Sequence, residues 1–498
     1  MVIISPMYAQ FFLSAVTAFF AIGALWIWKL NRALKATPPE VLAVSPQRWT
    51  EEEIKTTYAR IKASPIDWTA HLPPKLDRRY VITGGCGGVG GQIVLHLLAR
   101  GQPPESIRIV DFRKPDRPDM MTGPATRVDF AQADITSPAA VSEAFGKPWP
   151  PAVAGLPLTV FHTAALIDAA QRSPRAYDRV KRVNVDGTKN VLEAARDAGA
   201  TVFVSTSSAS VEYRPVVHWG NPFRRWPKNY WQVIDESDFG KPLRPHAQFF
   251  GNYAHAKAVA ERLVGEANCS RFRTGIVRPA NGIYGSSNGD QVVGLCLRAG
   301  TVPTWMPNII QNFVHGGHVS LGHLLFEAAL LREDEMPKCA GKPFVITDGG
   351  PPPSFGDMYK LLRLTAETPK IKIIYLQPGI MLALAHVVEW FDIASRMPVL
   401  RWVVPRPRGD LALLQPAVFT ASTHYLATDA AAQMSVDQGG LGYRPVHTTI
   451  EGMCQQVAEW NTEHATMGPV RDIQENGAKE TLIEGVHNIG VMPAAVNG

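Results

Sequence analysis

The longest apolar stretch is Phe11 to Trp28 (FFLSAVTAFFAIGALWIW), which carries no charge and is about long enough to cross a bilayer as one helix. Nothing later in the chain matches it. Residues 36–79 are then broken by prolines and hold one short helix, opened by Thr50 with Glu53 in capping-box spacing. From Tyr80 the pattern changes to short β-branched runs alternating with helical periodicity, the mark of βαβ units and a parallel sheet. Tyr80 to Thr83 reads as a strand, followed by a glycine-rich turn, a helix through Leu95 to Arg100, and a second strand, Ile107 to Asp111. Further strands are expected near Val128 to Gln132, Leu158 to His162, Val202 to Ser207, Gly275 to Val277 and Phe344 to Ile346.

This order predicts an α/β fold: a Rossmann-type doubly wound parallel sheet with a smaller C-terminal substrate-binding lobe and an N-terminal transmembrane helix. The expected organisation is a membrane anchor with a basic flank over 1–36, a linker with a short helix over 37–78, and a dinucleotide-binding domain carrying the catalytic residues over 79–285. A mainly substrate-binding lobe follows over 286–462, interrupted by a late sheet strand near 344–347, and then a flexible tail over 463–498. Within the lobe, Ile380 to Phe391 (IMLALAHVVEWF) is apolar but too short to span a bilayer, so it reads as a core helix rather than a second membrane contact.

Composition narrows the picture. With 46% hydrophobic and 19% charged residues in 498, and mean hydropathy close to zero, most of the chain is globular and a polytopic transporter is excluded. The formal charge of +6 is scattered, which argues against nucleic acid. The one basic and aromatic patch, Trp219 to Trp231 (WGNPFRRWPKNYW), suits an interfacial membrane contact or an ordinary solvated loop. Five separated cysteines without a CxxC pair indicate neither zinc nor a disulfide framework, as expected for a reducing compartment. The apolar run has no basic segment before it and ends in Trp26 and Trp28 rather than small residues, which favours an anchor over a cleaved signal. Lys29, Arg32 and Lys35 follow it, so the positive-inside rule puts the N-terminus outside or in the lumen and the catalytic body in the cytosol. The sequon Asn268-Cys269-Ser270 then escapes glycosylation.

The chemistry starts at Thr83-Gly84-Gly85-Cys86-Gly87-Gly88-Val89-Gly90. Its glycines allow a tight turn, close approach of a pyrophosphate and helix packing. Asp111, at the end of the next strand, is spaced to accept the adenosine ribose hydroxyls. Its charge would repel a 2′-phosphate and so favours NAD over NADP, although Arg113 and Lys114 soften that preference. Asp134, before Ile135, is a candidate for the adenine amine; alternatively it is a helix N-terminal acid with Thr136 or Ser137 as the cap. Downstream, Tyr253 and Lys257 share one helical face, and the serine-rich strand end Ser205-Thr206-Ser207-Ser208 lies at the ligand-bearing edge of the sheet. Oxidation of an alcohol needs a base near neutral pH, and a phenol with pKa of about 10 serves only if a nearby ammonium lowers it. Tyr253 and Lys257 supply that pair; Ser208, with Ser207 as the alternative, would hold the substrate oxygen.

Together these residues resemble the extended short-chain dehydrogenases, specifically the 3β-hydroxysteroid dehydrogenase and sterol-4α-carboxylate 3-dehydrogenase family. The shared marks are TGGCGGVG, HTAA from His162, NVDGTKNVLEAA from Asn184, STSSASV from Ser205, YAHAK, RPANGIYG from Arg278, FVITDGG from Phe344 and LGYRP from Leu441. The resemblance implies Ser208, Tyr253 and Lys257 as the catalytic set, with Asn184 supporting a proton relay behind the lysine. It implies cofactor contacts at Gly84, Gly87, Gly88, Gly90, Asp111, Asp134, Ile135, Ala164, Ala165, Tyr253, Lys257 and Pro279, and no metal. Two features depart from it: the N-terminal anchor with its linker, and roughly twenty extra residues between Ser208 and Tyr253, a long excursion for a loop.

The expected reaction is oxidation of a 3β-hydroxyl on a sterol or triterpenoid, with loss of an adjacent C4 carboxylate where one is present. Dehydrogenation coupled to Δ5 isomerisation, terpenoid secondary metabolism and a non-catalytic NAD-sensing scaffold are the alternatives. The anchor, the apolar helix near Met381, and Trp305 and Phe313 favour a lipid-soluble substrate. The implied setting is the endoplasmic reticulum membrane, single-pass and without nucleic acid. A homodimer, or assembly with other membrane-bound sterol enzymes, stays open.

Overall fold

The computed structural model describes residues 6–221, 223–285, 289–332 and 336–465. The tail expected from Glu463 onward therefore lies almost wholly outside the described residues. In chain order the main elements are α1 (Pro6–Leu34), α2 (Glu51–Ala63), β1 (Arg79–Thr83), α3 (Gly88–Ala99), β2 (Ile107–Asp111) and β3 (Asp129–Gln132). Next come α4 (Pro138–Gly146), β4 (Leu158–His162), α5 (Gly187–Asp197), β5 (Ala200–Thr206), α6 (Asn252–Glu266), β6 (Arg273–Pro279), α7 (Gly316–Leu330), β7 (Pro343–Ile346), α8 (Phe355–Thr365), α9 (Pro378–Ser395) and α10 (Thr449–His464).

All seven strands pair in parallel in the order β7-β6-β5-β4-β1-β2-β3. Both faces of such a sheet must be covered, which is why its central strands are almost continuously apolar. On one face Phe161, Val202 and Val204 pack with Ile93 and Leu97 of α3 and Leu324 and Phe326 of α7. On the other, Val81, Val160 and Phe203 meet Val141 of α4, Val191 of α5 and Val264 of α6. The order reverses between β1 and β4, and ligands of doubly wound sheets bind in the crevice beyond the strand ends at such a point.

A second apolar core forms a C-terminal lobe from Leu361 and Leu362 of α8, Leu382 and Ala385 of α9 and Met453, Val457 and Trp460 of α10. After residue 285 the chain returns to the sheet layer: α7 packs against α3, and β7, at the late strand expected near 344–347, pairs with β6. The helix expected after Thr50 forms with its capping box, and it buries Ile54 and Ile61 in the lobe core.

α1 is, among the described residues, the one helix long and apolar enough to cross a membrane. Phe11, Phe12, Phe19 and Phe20 are all exposed, whereas Leu30 and Leu34 near its end are buried in the lobe core. α9 runs two residues further at the start and four at the end than the pattern suggests. Leu382, Ala385 and Val388 face the core; Ile380, Leu384, Val387 and Trp390 are exposed.

Candidate functional site

The glycine-rich turn is built by close contact. Gly84 has φ +72°, and a Cβ there would lie 2.6 Å from the Ala164 nitrogen; one on Gly90 would lie 2.4 Å from the Gly84 carbonyl oxygen. Gly84 N–H donates to Val110 O (2.9 Å), tying the turn to β2. Gly87 caps α3 without a side-chain acceptor, and a Cβ on Gly88 would meet nothing within 4 Å. The first amides of α3 are therefore approachable by an anion. Asp111 is buried and accepts from the Cys86 amide (3.1 Å) and the Arg113 amide (3.2 Å), so its carboxylate fixes the turn as well as facing the cleft. Asp134 accepts from the Thr136 amide (2.8 Å), while Ser137 is the cap of α4.

A cleft of about 990 Å³ opens above the strand ends. Its lining includes Gly84, Gly87, Gly88, Gly90, Asp111, Asp134, Ile135, Ala164, Ala165, Ser208, Tyr253, Lys257 and Pro279, which gathers every residue expected at the site except Asn184. Asn184 is buried behind the wall in a π-helical turn (Arg182–Asp186). Its side-chain oxygen accepts from Leu166 N (2.8 Å) and its amide donates to Leu166 O (2.9 Å), while its own backbone carbonyl accepts from the Thr188 hydroxyl (2.8 Å). It thus fixes the segment after the Ala164-Ala165 turn, and its side chain bonds to Leu166 rather than to the lysine.

Tyr253 and Lys257 lie in the first turns of α6. Lys257 Nζ donates to Thr206 O (2.8 Å) at the end of β5, and burial pushes its pKa down to about 8 against the opposing field of Glu261. Burial pushes the Tyr253 phenol up to about 12, with a hydrogen bond from Ser208 working the other way. In the protein alone burial dominates the phenol, as it does the neighbouring ammonium. Ser208 Oγ also shares a hydrogen bond with Ser210 Oγ (2.8 Å), whereas buried Ser207 Oγ lines the cleft without a partner.

Three features of the site escape sequence reasoning. Glu261, one turn beyond Lys257 on α6, pairs with fully buried Arg278 (2.7 Å), which also reaches Asp238 (2.8 Å) and so clamps α6 to β6. The i, i+4 spacing of Lys257 and Glu261 is the signal that could have found it. His162 bonds Thr83 Oγ1 (2.7 Å) and Thr188 Oγ1 (3.0 Å) under the turn, and burial holds its pKa down to about 3, so it stays neutral. The apolar wall is formed by Leu166, Ile167, Phe250, Ile283, Met306 and Phe355. Trp305 and Phe313 lie in the lobe, as expected, but pack within it: Trp305 stacks on Phe419 and Phe313 meets Phe355 edge-on.

The profile of the 3-beta hydroxysteroid dehydrogenase/isomerase family matches residues 81–376, from the first strand of the sheet into the lobe. The chain belongs to this family. It is a nicotinamide-dependent oxidoreductase acting on CH–OH groups, with NAD as its cofactor. The open glycine cradle and the carboxylate of Asp111 are suited to that dinucleotide. Among similar proteins, 3 beta-hydroxysteroid dehydrogenase type 7 of Homo sapiens is 33% identical over 290 residues, covering 56% of this chain and 70% of the relative. Sterol-4-alpha-carboxylate 3-dehydrogenase, decarboxylating, of Bos taurus is 30% identical over 321 residues, covering 61% and 74%. The crystal structure of UDP-glucose-4-epimerase from Stenotrophomonas maltophila, with bound NAD and formylated UDP-arabinopyranose, shares the fold. Its TM-score is 0.51 at 16% identity, over 78% of this chain and 99% of that one.

Proposed function

We propose that this enzyme oxidises the 3β-hydroxyl of a sterol or related triterpenoid, and that a carboxylate on the neighbouring C4 is lost after the oxidation. The observation that carries the reading is the cleft. Its polar group of Ser208, Tyr253 and Lys257 faces a space of about 990 Å³, whose wall from Leu166 and Ile167 to Met306 and Phe355 is apolar enough for a rigid hydrocarbon ring system.

In this reading Ser208 Oγ donates to the substrate oxygen and orients the carbinol carbon, and Tyr253 Oη takes the hydroxyl proton. Lys257 supplies positive charge beside the phenol and holds the nicotinamide ribose. Bound NAD supplies the acceptor for the hydride that leaves the carbinol carbon. Asn184 positions the Leu166 backbone that borders the reacting groups. With a C4 carboxylate present, the product is a β-keto acid. Its C4–carboxyl bond breaks with the electron pair delocalised onto the new ketone, and the enolate is then protonated at C4 with release of carbon dioxide.

The test uses the full chain in neutral detergent with NAD and a panel of 3β-hydroxysterols, with and without a 4α-carboxylate. NADH formation with carbon dioxide release only from the carboxylated members supports the decarboxylating reading. Turnover of small polar alcohols alone overturns the sterol substrate. The same proposal has α1 crossing the endoplasmic reticulum membrane once with the catalytic body in the cytosol, supported by the exposed apolar length of α1 and the cations that follow it.

A further inference from the structure

The basic and aromatic segment between Ser208 and Tyr253 is held against the lower end of α1. Trp219 meets Trp26 edge-on (centroids 6.4 Å apart), Trp226 stacks on Tyr230 (5.9 Å), and Tyr230 Oη donates to Leu34 O at the end of α1 (2.8 Å). An antiparallel bridge between Val217 and Lys228 closes the segment into a loop, and Asn229, at φ 64°, donates its amide to Pro215 O (2.8 Å). This is a positioned loop rather than a solvated excursion.

Between the loop and α1 lies a cavity of about 260 Å³, lined by Lys29, Arg224, Arg225 and Lys228 with Trp26 at its edge. Its lining contains no carboxylate, and among the described residues no acidic side chain pairs with any of the four cations. Four like charges around one opening repel each other, and an anion seated there relieves that repulsion. The depth at which it sits identifies the anion. Lys29 is the first charged residue after the apolar run, the level at which a membrane helix leaves the hydrocarbon for the headgroups. Phe223 on the same loop is 91% exposed, and the exposed face of α9 (Ile380, Leu384, Val387) extends the apolar surface beside α1, whose Asn31 bonds Gln377 just before α9. We infer that this cavity binds the phosphate headgroup of an acidic phospholipid, clamping the loop and the end of α1 to an anionic membrane surface. The inference rests on α1 being a membrane helix.

The experiment uses full-length protein in neutral detergent and reads its melting temperature with dioctanoyl phosphatidic acid, dioctanoyl phosphatidylcholine or inorganic phosphate. The expected result is a shift with phosphatidic acid that phosphatidylcholine and phosphate do not give. In R224Q/R225Q/K228Q the affinity for phosphatidic acid falls about tenfold or more, as three interfacial cations are removed. These side chains lie on the surface and outside the catalytic cleft, so the variant keeps its own melting temperature and NAD-linked turnover. Equal shifts with the zwitterionic lipid, or an unchanged response in the variant, overturn the site; an equal shift with phosphate overturns the lipid as its ligand. Alkaline carbonate extraction of cell membranes separates the two readings. Retention of both proteins in the pellet upholds the anchor whatever the lipid response, and release of wild type overturns the anchor itself.

Discussion

Gly88 and Gly90 sit two residues apart in the same turn, and the space around them differs. A Cβ on Gly90 collides with Gly84 O and Thr163 Oγ1, whereas one on Gly88 meets no protein atom within 4 Å. Gly88→Ala should therefore leave the melting temperature of the ligand-free protein almost unchanged while weakening NAD binding, measured by fluorescence titration; Gly90→Ala should lower both. The Ser208 hydroxyl gives a second expectation. Its hydrogen bond lowers a phenol that burial has pushed up to about 12, so removing it raises the Tyr253 pKa. In Ser208→Ala the rising, acid-side limb of the kcat profile for alcohol oxidation, set by deprotonation of the Tyr253 base, should move to higher pH, beyond a loss of rate of the order of 10²-fold. Lys257 adds an expectation about stability. Its folded pKa of about 8 lies below its ordinary value of 10.5, so between these values the unfolded chain binds more protons and stability rises with pH. Melting temperatures of ligand-free protein at about pH 7.5 and about pH 9.5, which bracket much of that window, should show this increment in wild type and lose it in Lys257→Met. An unchanged increment in the variant would remove Lys257 as its source.

At the scale of elements, the helix α6 that carries Tyr253 and Lys257 is held by charge as well as packing. Arg278 meets both oxygens of Glu261 (2.9 and 2.7 Å) and one of Asp238 (2.8 Å) inside the protein. Arg278→Met strands the Glu261 carboxylate and should cost about 3–5 kcal/mol, read by denaturant unfolding; adding Glu261→Leu should recover part of that loss. The positions of such elements are legible where local chemistry dictates them. β2 and β4 fall on the residues expected from their β-branched runs, α2 starts at its capping box, and the turn glycines, Asp111, Ser208, Tyr253 and Lys257 converge on one cleft. What escapes the sequence depends on distant packing. Trp305 has the character of a ligand-facing aromatic but stacks on Phe419, more than a hundred residues away, while Met306 beside it lines the cleft. Likewise, no local pattern could reveal that Asn184 spends its side chain on Leu166, or that burial pushes the Tyr253 phenol up.

For the whole molecule, the consequential packing is that of α1 on the catalytic body. Its exposed stretch around Phe11 to Phe20 behaves as a separate apolar rod, and its last two turns do not. Leu30 and Leu34 are 5% exposed in the same core as Ile54, Leu382 and Trp460, and Leu34 O accepts from Tyr230 Oη (2.8 Å) and Asn308 Nδ2 (3.1 Å). Residue 36, where composition changes, is therefore a poor place to cut. A protein beginning at Thr37 loses both leucines, and emptying even one such site costs about 2–5 kcal/mol. A protein beginning at Trp26 sheds the exposed rod yet keeps Leu30, Leu34 and the tryptophan against which Trp219 packs. The longer form should be monodisperse in less detergent than the full chain and should melt within a few degrees of it; the shorter should melt well below or aggregate. Equal melting temperatures for the two truncations would mean that the end of α1 contributes nothing to the body, and that the anchor is separable at the point where the sequence alone would cut it.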